Sequence, residues 1–178
     1  NIFKKLNLKD VELNVCSSTK IYGKKFDESY FKKYENIFNE CKKIKNVNYL
    51  GFVENSKIIE LLKKTHIYSF PSVWPETSCI SAIESMAAGC EVVTTNLGAL
   101  YETCAPFGTL VGFDRNFENL EKKYSKVLLN SIENYWSNEN QNKLKLQREK
   151  INQTYSWDAR STEWENFFNK ASSLFKLS

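Results

Sequence analysis

The sequence predicts an α/β fold: a Rossmann-like, doubly wound parallel sheet with helices on both faces and an all-helical C-terminal part. Two observations predict this class. Short, mostly apolar β-branched runs alternate with longer amphipathic segments as far as Asp114, as expected of βα units whose strands are buried on both faces. After Asp114 only helical periodicity continues, which predicts a run of helices without further strands.

Each element is predicted from its own pattern. The strands are expected at Val11–Cys16, Val47–Phe52, Ile67–Phe70, Glu91–Thr95 and Thr109–Gly112. The helices are expected at Glu28–Lys43, Lys57–Lys64, Cys79–Ala88, Phe117–Trp136, Asn138–Tyr155 and Ser161–Phe175. Aromatic and small residues recur along the last helix at helical spacing, from Trp164 to Phe175. This stripe has two interpretations, packing into the core or docking on a partner domain.

Composition narrows the function classes. A length of 178 residues with 42% hydrophobic residues fits one domain, residues 1–178, with enough apolar surface for a core. The net charge is +4 and the lysines are dispersed rather than gathered in an Arg-rich stripe, so we expect no nucleic-acid partner. Because the chain starts at Asn1 rather than Met, the sequence suggests a fragment of a longer protein.

Cysteine usage and hydropathy predict the compartment. The five cysteines are odd in number and lack a CxxC spacing, so neither a disulfide framework nor a zinc site is expected. No apolar run approaches the eighteen or so residues of a membrane span. We therefore expect a cytoplasmic protein, with action at a membrane surface left open for the full-length protein.

The chemistry is predicted to centre on Pro71–Asn96, "PSVWPETSCISAIESMAAGCEVVTTN". Thr77 or Ser78 is a candidate N-cap for the helix in this stretch, and Gly89 is a candidate residue to end it. The first-turn N–H groups of that helix lack intrahelical partners and carry the positive end of the helix dipole. An anion such as a diphosphate is expected there, around Ser78, Cys79 and Ile80.

Two glutamates flank this helix start. Glu76 alone could be a dipole-capping residue, whereas Glu84 lies on a small-residue helix where an unpartnered buried carboxylate would be unfavourable. Eight helical steps make roughly 12 Å, too far for the carboxyl pair of a glycosidase, which needs about 5–9.5 Å. The spacing instead suits a nucleotide sugar, with ribose hydroxyls at Glu84 and sugar hydroxyls at Glu76.

The segment Gly51–Thr103 resembles the C-terminal, donor-binding domain of GT-B-type retaining glycosyltransferases, the group called glycosyl transferases group 1. The family motif is Glu, seven residues, Glu, then Met-Ala-Ala-Gly, a strand, and a Gly-containing loop before another Glu. Its elements stand here as Glu76, Glu84, Met86 to Gly89, "EVVTT", Gly98 and Glu102.

The resemblance implies a nucleoside-diphosphate sugar as donor substrate, with no cofactor and no metal. It also implies an acceptor, which could be a glycan, a lipid or a protein, bound on an N-terminal domain of the same polypeptide. The site residues that it implies are Glu76 as the catalytic contact to the sugar, Glu84 at the ribose, the backbone of Thr77, Ser78, Cys79 and Ile80 at sugar and diphosphate, and Val53 at the base. Lys20 and Lys24 are either phosphate-facing or solvated.

Two departures from the family pattern matter. The family has Gly-Phe-Gly after the first Glu, where this chain has Thr77-Ser78-Cys79 with bulkier flanking side chains. The family also places a strand carrying Arg and Lys before the first helix, and none precedes "NIFKKLN". In a doubly wound sheet that strand lies between Val11–Cys16 and Ile67–Phe70, so we predict no regular ladder between these two runs.

Two other classes remain open from the sequence. A non-catalytic module could keep the nucleotide site without chemistry, and nucleotide binding without turnover would identify it. An interaction domain of Rossmann-like fold would have no use for Glu84. Failure to bind any nucleoside diphosphate would favour that alternative.

Overall fold

All strand pairs in the computed structural model, which describes residues 2–18 and 28–175, are parallel. β1 (Leu13–Val15) pairs with β2 (Val47–Tyr49) in one sheet. A second sheet has the order β3-β4-β5 and consists of β3 (Ile67–Phe70), β4 (Glu91–Thr95) and β5 (Thr109–Val111). β4 is the central strand and forms hydrogen bonds with β3 along one edge and with β5 along the other.

Eight helices accompany these strands in the described residues. They are α1 (Ile2–Leu6), α2 (Glu28–Lys43), α3 (Asn55–Leu62), α4 (Ile80–Ala88), α5 (Leu100–Cys104), α6 (Phe117–Asn134), α7 (Asn138–Tyr155) and α8 (Trp157–Phe175). None of them is both long and apolar enough to cross a membrane. The α/β class and the helical C-terminal part are therefore as the sequence predicted.

The chain divides into two compact units, Asn1–Leu61 and Leu62–Ser178. In the first unit α2 packs on the two-stranded sheet, where the rings of Phe38 and Tyr49 stack with centroids 4.9 Å apart. The second unit contains the three-stranded sheet and the helices from α4 onward. The assignment of residues 1–178 to one domain stays a prediction.

Strand β4 is the centre of the second unit. All five of its residues are buried, as expected of a strand covered on both faces, and α4, α5 and α6 all contact it. The core beside it is built from α4 and α5, with Met86, Val92 and Leu100 fully buried. This packing explains why small residues dominate α4, since they let the helix lie close to the sheet.

Buried polar side chains fasten the C-terminal helices to this sheet. The Glu91 carboxylate accepts hydrogen bonds from Thr109 Oγ1 at 3.1 Å, Ser131 Oγ at 2.7 Å and Asn140 Nδ2 at 3.0 Å. Gln147 Nε2 of α7 donates to the carbonyl of Cys90 at 2.8 Å. These bonds hold α6 and α7 against the sheet, although the buried Oε1 of Gln147 has no hydrogen-bond partner among the described residues.

The observed boundaries differ from the predicted ones at several elements, most of all at α8, which begins at Trp157 rather than at the predicted Ser161. β3, β4, α2 and α7 have the predicted bounds, whereas β1 is three residues, Leu13–Val15, within the predicted Val11–Cys16. α1 and α5 were not predicted, because five-residue helices hold little more than one turn and show no clear periodicity. β1 and β3 belong to different ladders in the described residues, as the strand-order argument expected.

The aromatic stripe of α8 is not part of the core. The rings of Trp164, Phe167 and Phe168 are about 60% exposed and contact one another, with the Trp164 and Phe168 centroids 5.5 Å apart. The core-packing interpretation of this stripe is therefore wrong. Helical spacing identifies residues that share a face but does not say whether that face is covered.

Tyr124→Phe tests the polar contacts beneath β4. The Tyr124 hydroxyl is fully buried and donates to the Val93 carbonyl at 2.6 Å, and burial raises its pKa, so it stays a neutral donor. Its loss leaves a buried carbonyl short of a partner, and we expect a loss of about 1–2 kcal/mol in unfolding free energy. Chemical denaturation measures this, with Tyr101→Phe at an exposed ring as the control. Equal stability of the two variants would contradict the assignment.

Candidate functional site

The loop between β3 and α4 leaves the sheet at the carboxyl end of β3, the edge where ligands bind in open α/β sheets. It starts with a local turn in which Ser72 Oγ donates to the Trp74 carbonyl at 2.9 Å. Thr95 Oγ1 of β4 donates to the Ser72 carbonyl at 2.8 Å, which ties the loop to the central strand. Trp74 itself projects outward and is 75% exposed.

The backbone of Glu76 is held by the loop after β4. Ala99 N donates to the Glu76 carbonyl at 2.7 Å, and Glu76 forms an isolated parallel bridge with Gly98. Gly98 has a φ of +63°, and a Cβ atom there would lie 2.5 Å from the Glu76 carbonyl oxygen. The Glu76 side chain is half-buried, and within the described residues its carboxylate has no hydrogen-bond or ion-pair partner.

The start of α4 differs from the prediction. Cys79, rather than Thr77 or Ser78, occupies the N-cap, and no side chain caps the helix. Thr77 and Ser78 are exposed on the loop, whereas Cys79 is buried in the core, so core packing sets where the helix begins. The Cys79 carbonyl accepts from Ala82 N at 3.0 Å and from Ile83 N at 3.1 Å.

The backbone N–H groups of Ile80 and Ser81 have no acceptor among the described residues. They lie at the positive end of the helix dipole, next to the exposed side chains of Thr77, Ser78 and Ile80. Two donors with the same orientation at a solvent-facing helix start suit an oxyanion. The change of N-cap therefore moves the predicted anion position by about one residue, and the helix still begins with open N–H donors.

Glu84 lies one turn further along α4, at i+4 from Ile80 and so on the same side of the helix. It is half-buried, and no protein donor meets its carboxylate in the described part of the chain. Partial exposure removes the expected penalty of a fully buried unpaired charge. The carboxylate thus remains available to accept hydroxyl groups from outside the protein.

Tyr68 and Ser85 support this helix end and were missed by the sequence reasoning. The Tyr68 hydroxyl lies 2.7 Å from Ser81 Oγ, and Ser85 Oγ donates to the Ser81 carbonyl at 2.6 Å. Burial raises the pKa of Tyr68, which keeps its hydroxyl neutral. In the sequence Tyr68 is one residue of an apolar strand, so nothing marked it as a partner of α4.

The structure brings most of the predicted site residues together. Glu76, Thr77, Ser78, Cys79, Ile80 and Glu84 all lie on the loop into α4 or on α4 itself. Val53 lies in the other unit, between β2 and α3, and is half-buried. Lys20 and Lys24 fall outside the described residues. Glu102 is exposed in the first turn of α5.

Comparison with protein families gives one match. Residues 3–146 match the family model described as "Glycosyl transferases group 1". No curated protein sequence matches the chain. The family match covers the two glutamates, both sheets and α4, and so includes the whole candidate site.

Solved structures share the fold at low identity. A glycosyltransferase from Rickettsia africae ESF-5 has a TM-score of 0.76 at 15% identity, with 95% of this chain and 42% of that chain covered. A sucrose-phosphate synthase from Thermosynechococcus elongatus has a TM-score of 0.73 at 18% identity, with 99% of this chain and 42% of that chain covered. Anabaena HepE, in complex with UDP-glucose, has a TM-score of 0.53 at 18% identity, with 87% of this chain and 43% of that chain covered. This chain thus spans less than half of each of these structures.

Gly98→Ala tests the contact that holds Glu76. The new methyl group would meet the Glu76 backbone at a positive φ, so we expect a loss of at least about 2 kcal/mol in unfolding free energy or a displaced loop. Gly112→Ala is the control, because nothing lies within 4 Å of a Cβ atom there and its φ is not left-handed. Thermal melting and denaturant titration compare the two variants. A Gly98→Ala protein as stable as Gly112→Ala would contradict the close approach.

Proposed function

The chain belongs to the glycosyl transferases group 1, and from this premise we propose that it is the donor-binding part of a glycosyltransferase. Its substrate is a nucleoside-diphosphate sugar, from which the full-length protein transfers the sugar to an acceptor. The observation that supports this most is the grouping of two unpartnered carboxylates with an uncapped helix start in α4. The UDP-glucose named for Anabaena HepE supports the same class of donor.

The helix start receives the diphosphate. The N–H groups of Ile80 and Ser81 donate to phosphate oxygens, and the helix dipole adds favourable potential for the negative charge. As the bond between C1 of the donor sugar and the diphosphate oxygen breaks, charge builds on that oxygen. Preorganised donors stabilise this charge without reorganisation, so the proposal uses no metal ion.

The two glutamates contact different parts of the rest of the donor. Glu84 accepts both ribose hydroxyls, and Glu76 accepts hydroxyls of the sugar near the reacting carbon. The fixed backbone of Glu76, bound to Gly98 and Ala99, holds that carboxylate where sugar positioning needs it. We propose that the acceptor attacks from the face that the diphosphate leaves, as in a retaining hexosyltransferase.

The remaining partners belong to the longer protein. The acceptor, a glycan, lipid or protein, is proposed to bind an N-terminal domain of the same polypeptide, because this chain spans 42% of the Rickettsia glycosyltransferase. The backbone at Val53 is proposed to meet the nucleotide base. A cytoplasmic location, at the membrane surface where the acceptor is a lipid, is part of the same proposal.

Glu84→Gln and Glu76→Gln separate the two roles. Glu84→Gln should weaken the preferred member of a UDP, GDP and ADP panel about ten- to a hundredfold, since a charge-assisted hydrogen bond contributes roughly 1.5–3 kcal/mol. Glu76→Gln should leave nucleoside diphosphate affinity within about twofold and lower turnover of the full-length enzyme. Calorimetry measures the first effect and product formation the second. Glu133→Gln, at an exposed position of α6, is the matched control.

If both variants weakened binding of the free nucleoside diphosphate equally, Glu76 would have no specific role at the sugar and would be only a loop residue. If neither variant weakened nucleotide binding, α4 would not be part of the nucleotide site. Nucleotide binding without turnover of any donor in the full-length protein would indicate a non-catalytic nucleotide-binding module. Failure to bind any nucleoside diphosphate would indicate an interaction module instead.

The chain of residues 1–178 alone is expected to bind nucleotide without transferring sugar. The acceptor is proposed to bind a further domain, and within this sequence no strand bearing Arg and Lys precedes α1. A radiolabelled-donor assay with the isolated chain, set beside the full-length protein, measures this. Glycosyl transfer by the isolated chain would contradict the expectation.

A further inference from the structure

A second polar cleft lies at the opposite end of α4 from the candidate donor site. It encloses about 380 Å³ and is lined entirely by residues of the second unit, including Ala88 and Gly89 at the end of α4. Eight steps along α4, from Ile80 to Ala88, separate the two places by roughly 12 Å. The cleft is therefore distinct from the donor site, although one helix joins them.

One wall of the cleft is a single face of α7. Gln141, Leu144, Lys145 and Arg148 stand at i, i+3, i+4 and i+7, so they share one side of the helix. The helix is anchored at this level, because Gln147 Nε2 donates to the Met86 carbonyl at 3.2 Å and to the Cys90 carbonyl at 2.8 Å. The wall therefore has a fixed position relative to α4.

The other wall follows the end of α3 and contains Lys63, Lys64, Thr65 and His66. Two bonds hold this segment against the start of β4: Cys90 Sγ donates to the Thr65 carbonyl at 3.2 Å, and Glu91 N donates to the His66 carbonyl at 2.9 Å. The His66 ring lies edge-on to Tyr135, with centroids 5.0 Å apart. Both residues belong to the lining of the cleft.

Gly89 forms the floor between the walls. Its φ of +97° ends α4 in the left-handed conformation, and the aliphatic stem of Arg148 passes 3.6 Å from where a Cβ atom would stand. Arg148 thus packs over the turn that ends α4 and is also one of the residues that line the cleft. Glycine at this position leaves room for that stem.

The charge of the lining is one-sided. Four side chains carry a positive charge, Lys63, Lys64, Lys145 and Arg148, and no Asp or Glu belongs to the lining. Lys64, Lys145 and Arg148 form no salt bridge within residues 2–18 and 28–175. The C-terminal ends of α3 and α4 contribute about −0.5 charge each, which offsets roughly one of the four cations. Compensation of helix dipoles therefore explains only part of this charge.

We infer that this cleft binds the phosphate group of a small soluble phosphorylated molecule. Arg148 offers a forked donor set and the lysines offer point charges, the two kinds of group that hold phosphate oxygens. Gln141 adds a side-chain amide oxygen to the lining, while its Nε2 donates to the Tyr135 carbonyl at 2.6 Å. A volume of about 380 Å³, near the lower end for small-molecule sites, favours such a ligand over the flat surface of a bilayer.

The test uses the full-length protein and inorganic pyrophosphate as the probe. Lys145→Gln/Arg148→Gln removes two cleft cations, and Lys143→Gln/Lys150→Gln removes the same charge from positions of α7 outside the cleft. Isothermal titration in the presence of a saturating nucleoside diphosphate, which occupies the proposed donor site, should show saturable pyrophosphate binding that the cleft double variant weakens about tenfold or more and the control changes by less than about twofold. Circular dichroism melting of both variants checks that each is folded.

Three results would overturn the inference. An equal loss of pyrophosphate affinity in the two double variants would mean that binding depends only on the net charge of the protein. Undiminished pyrophosphate binding in the cleft double variant, with the donor site occupied by nucleotide, would place the ion outside the cleft. Absence of pyrophosphate binding, with vesicles of phosphatidylcholine and phosphatidic acid bound in a manner that needs Lys145 and Arg148, would make the cleft a membrane contact.

Discussion

The attachment of the β3–α4 loop to β4 and to the turn after it is the constraint on which the candidate site depends. Thr94 Oγ1 donates to the Phe70 carbonyl at 2.7 Å and Thr95 Oγ1 to the Ser72 carbonyl at 2.8 Å. Beyond them, Gly98 allows the backbone to approach Glu76 closely. A loop that leaves a sheet edge would otherwise be mobile, but here its backbone is tied to the fully buried strand β4 and to the turn after it.

The same strand and α4 couple the site to the rest of the second unit. α4 is pinned to β3 at its start by Tyr68 and Ser81, and to α7 at its end by Gln147. A helix held at both ends presents fixed groups at each: open N–H donors at one and cationic side chains around Gly89 at the other. One packing arrangement thus positions both proposed anion-binding surfaces, one based on a helix dipole and the other on side-chain charge.

The sequence predicted what depends on local pattern. Ile67–Phe70 and Glu91–Thr95 have the predicted bounds because buried strands are continuous apolar runs, and Gly89 ends α4 because glycine adopts the left-handed conformation at little cost. The N-cap was missed because burial of Cys79, a tertiary effect, overrode the preference for Ser or Thr.

Contacts between distant segments could not be predicted from the sequence. Gly98 was noted as a motif residue, but its approach to the Glu76 backbone depends on how two loops meet in space. The basic cleft joins Lys63 and Lys64 to Lys145 and Arg148, which are dispersed in the sequence and so looked like solvated surface charges. Charge patterning along a chain reports clusters only when they are sequential.

An amide-resolved NMR titration of the chain with UDP, GDP and ADP tests whether the start of α4 binds the diphosphate. We predict that one of these nucleotides causes saturable shifts, largest at the backbone amides of Ile80 and Ser81 and extending to Glu84. These amides lie at the open start of α4, where the diphosphate is proposed to bind. Saturable shifts confined to other segments, with Ile80 and Ser81 unchanged, would contradict it.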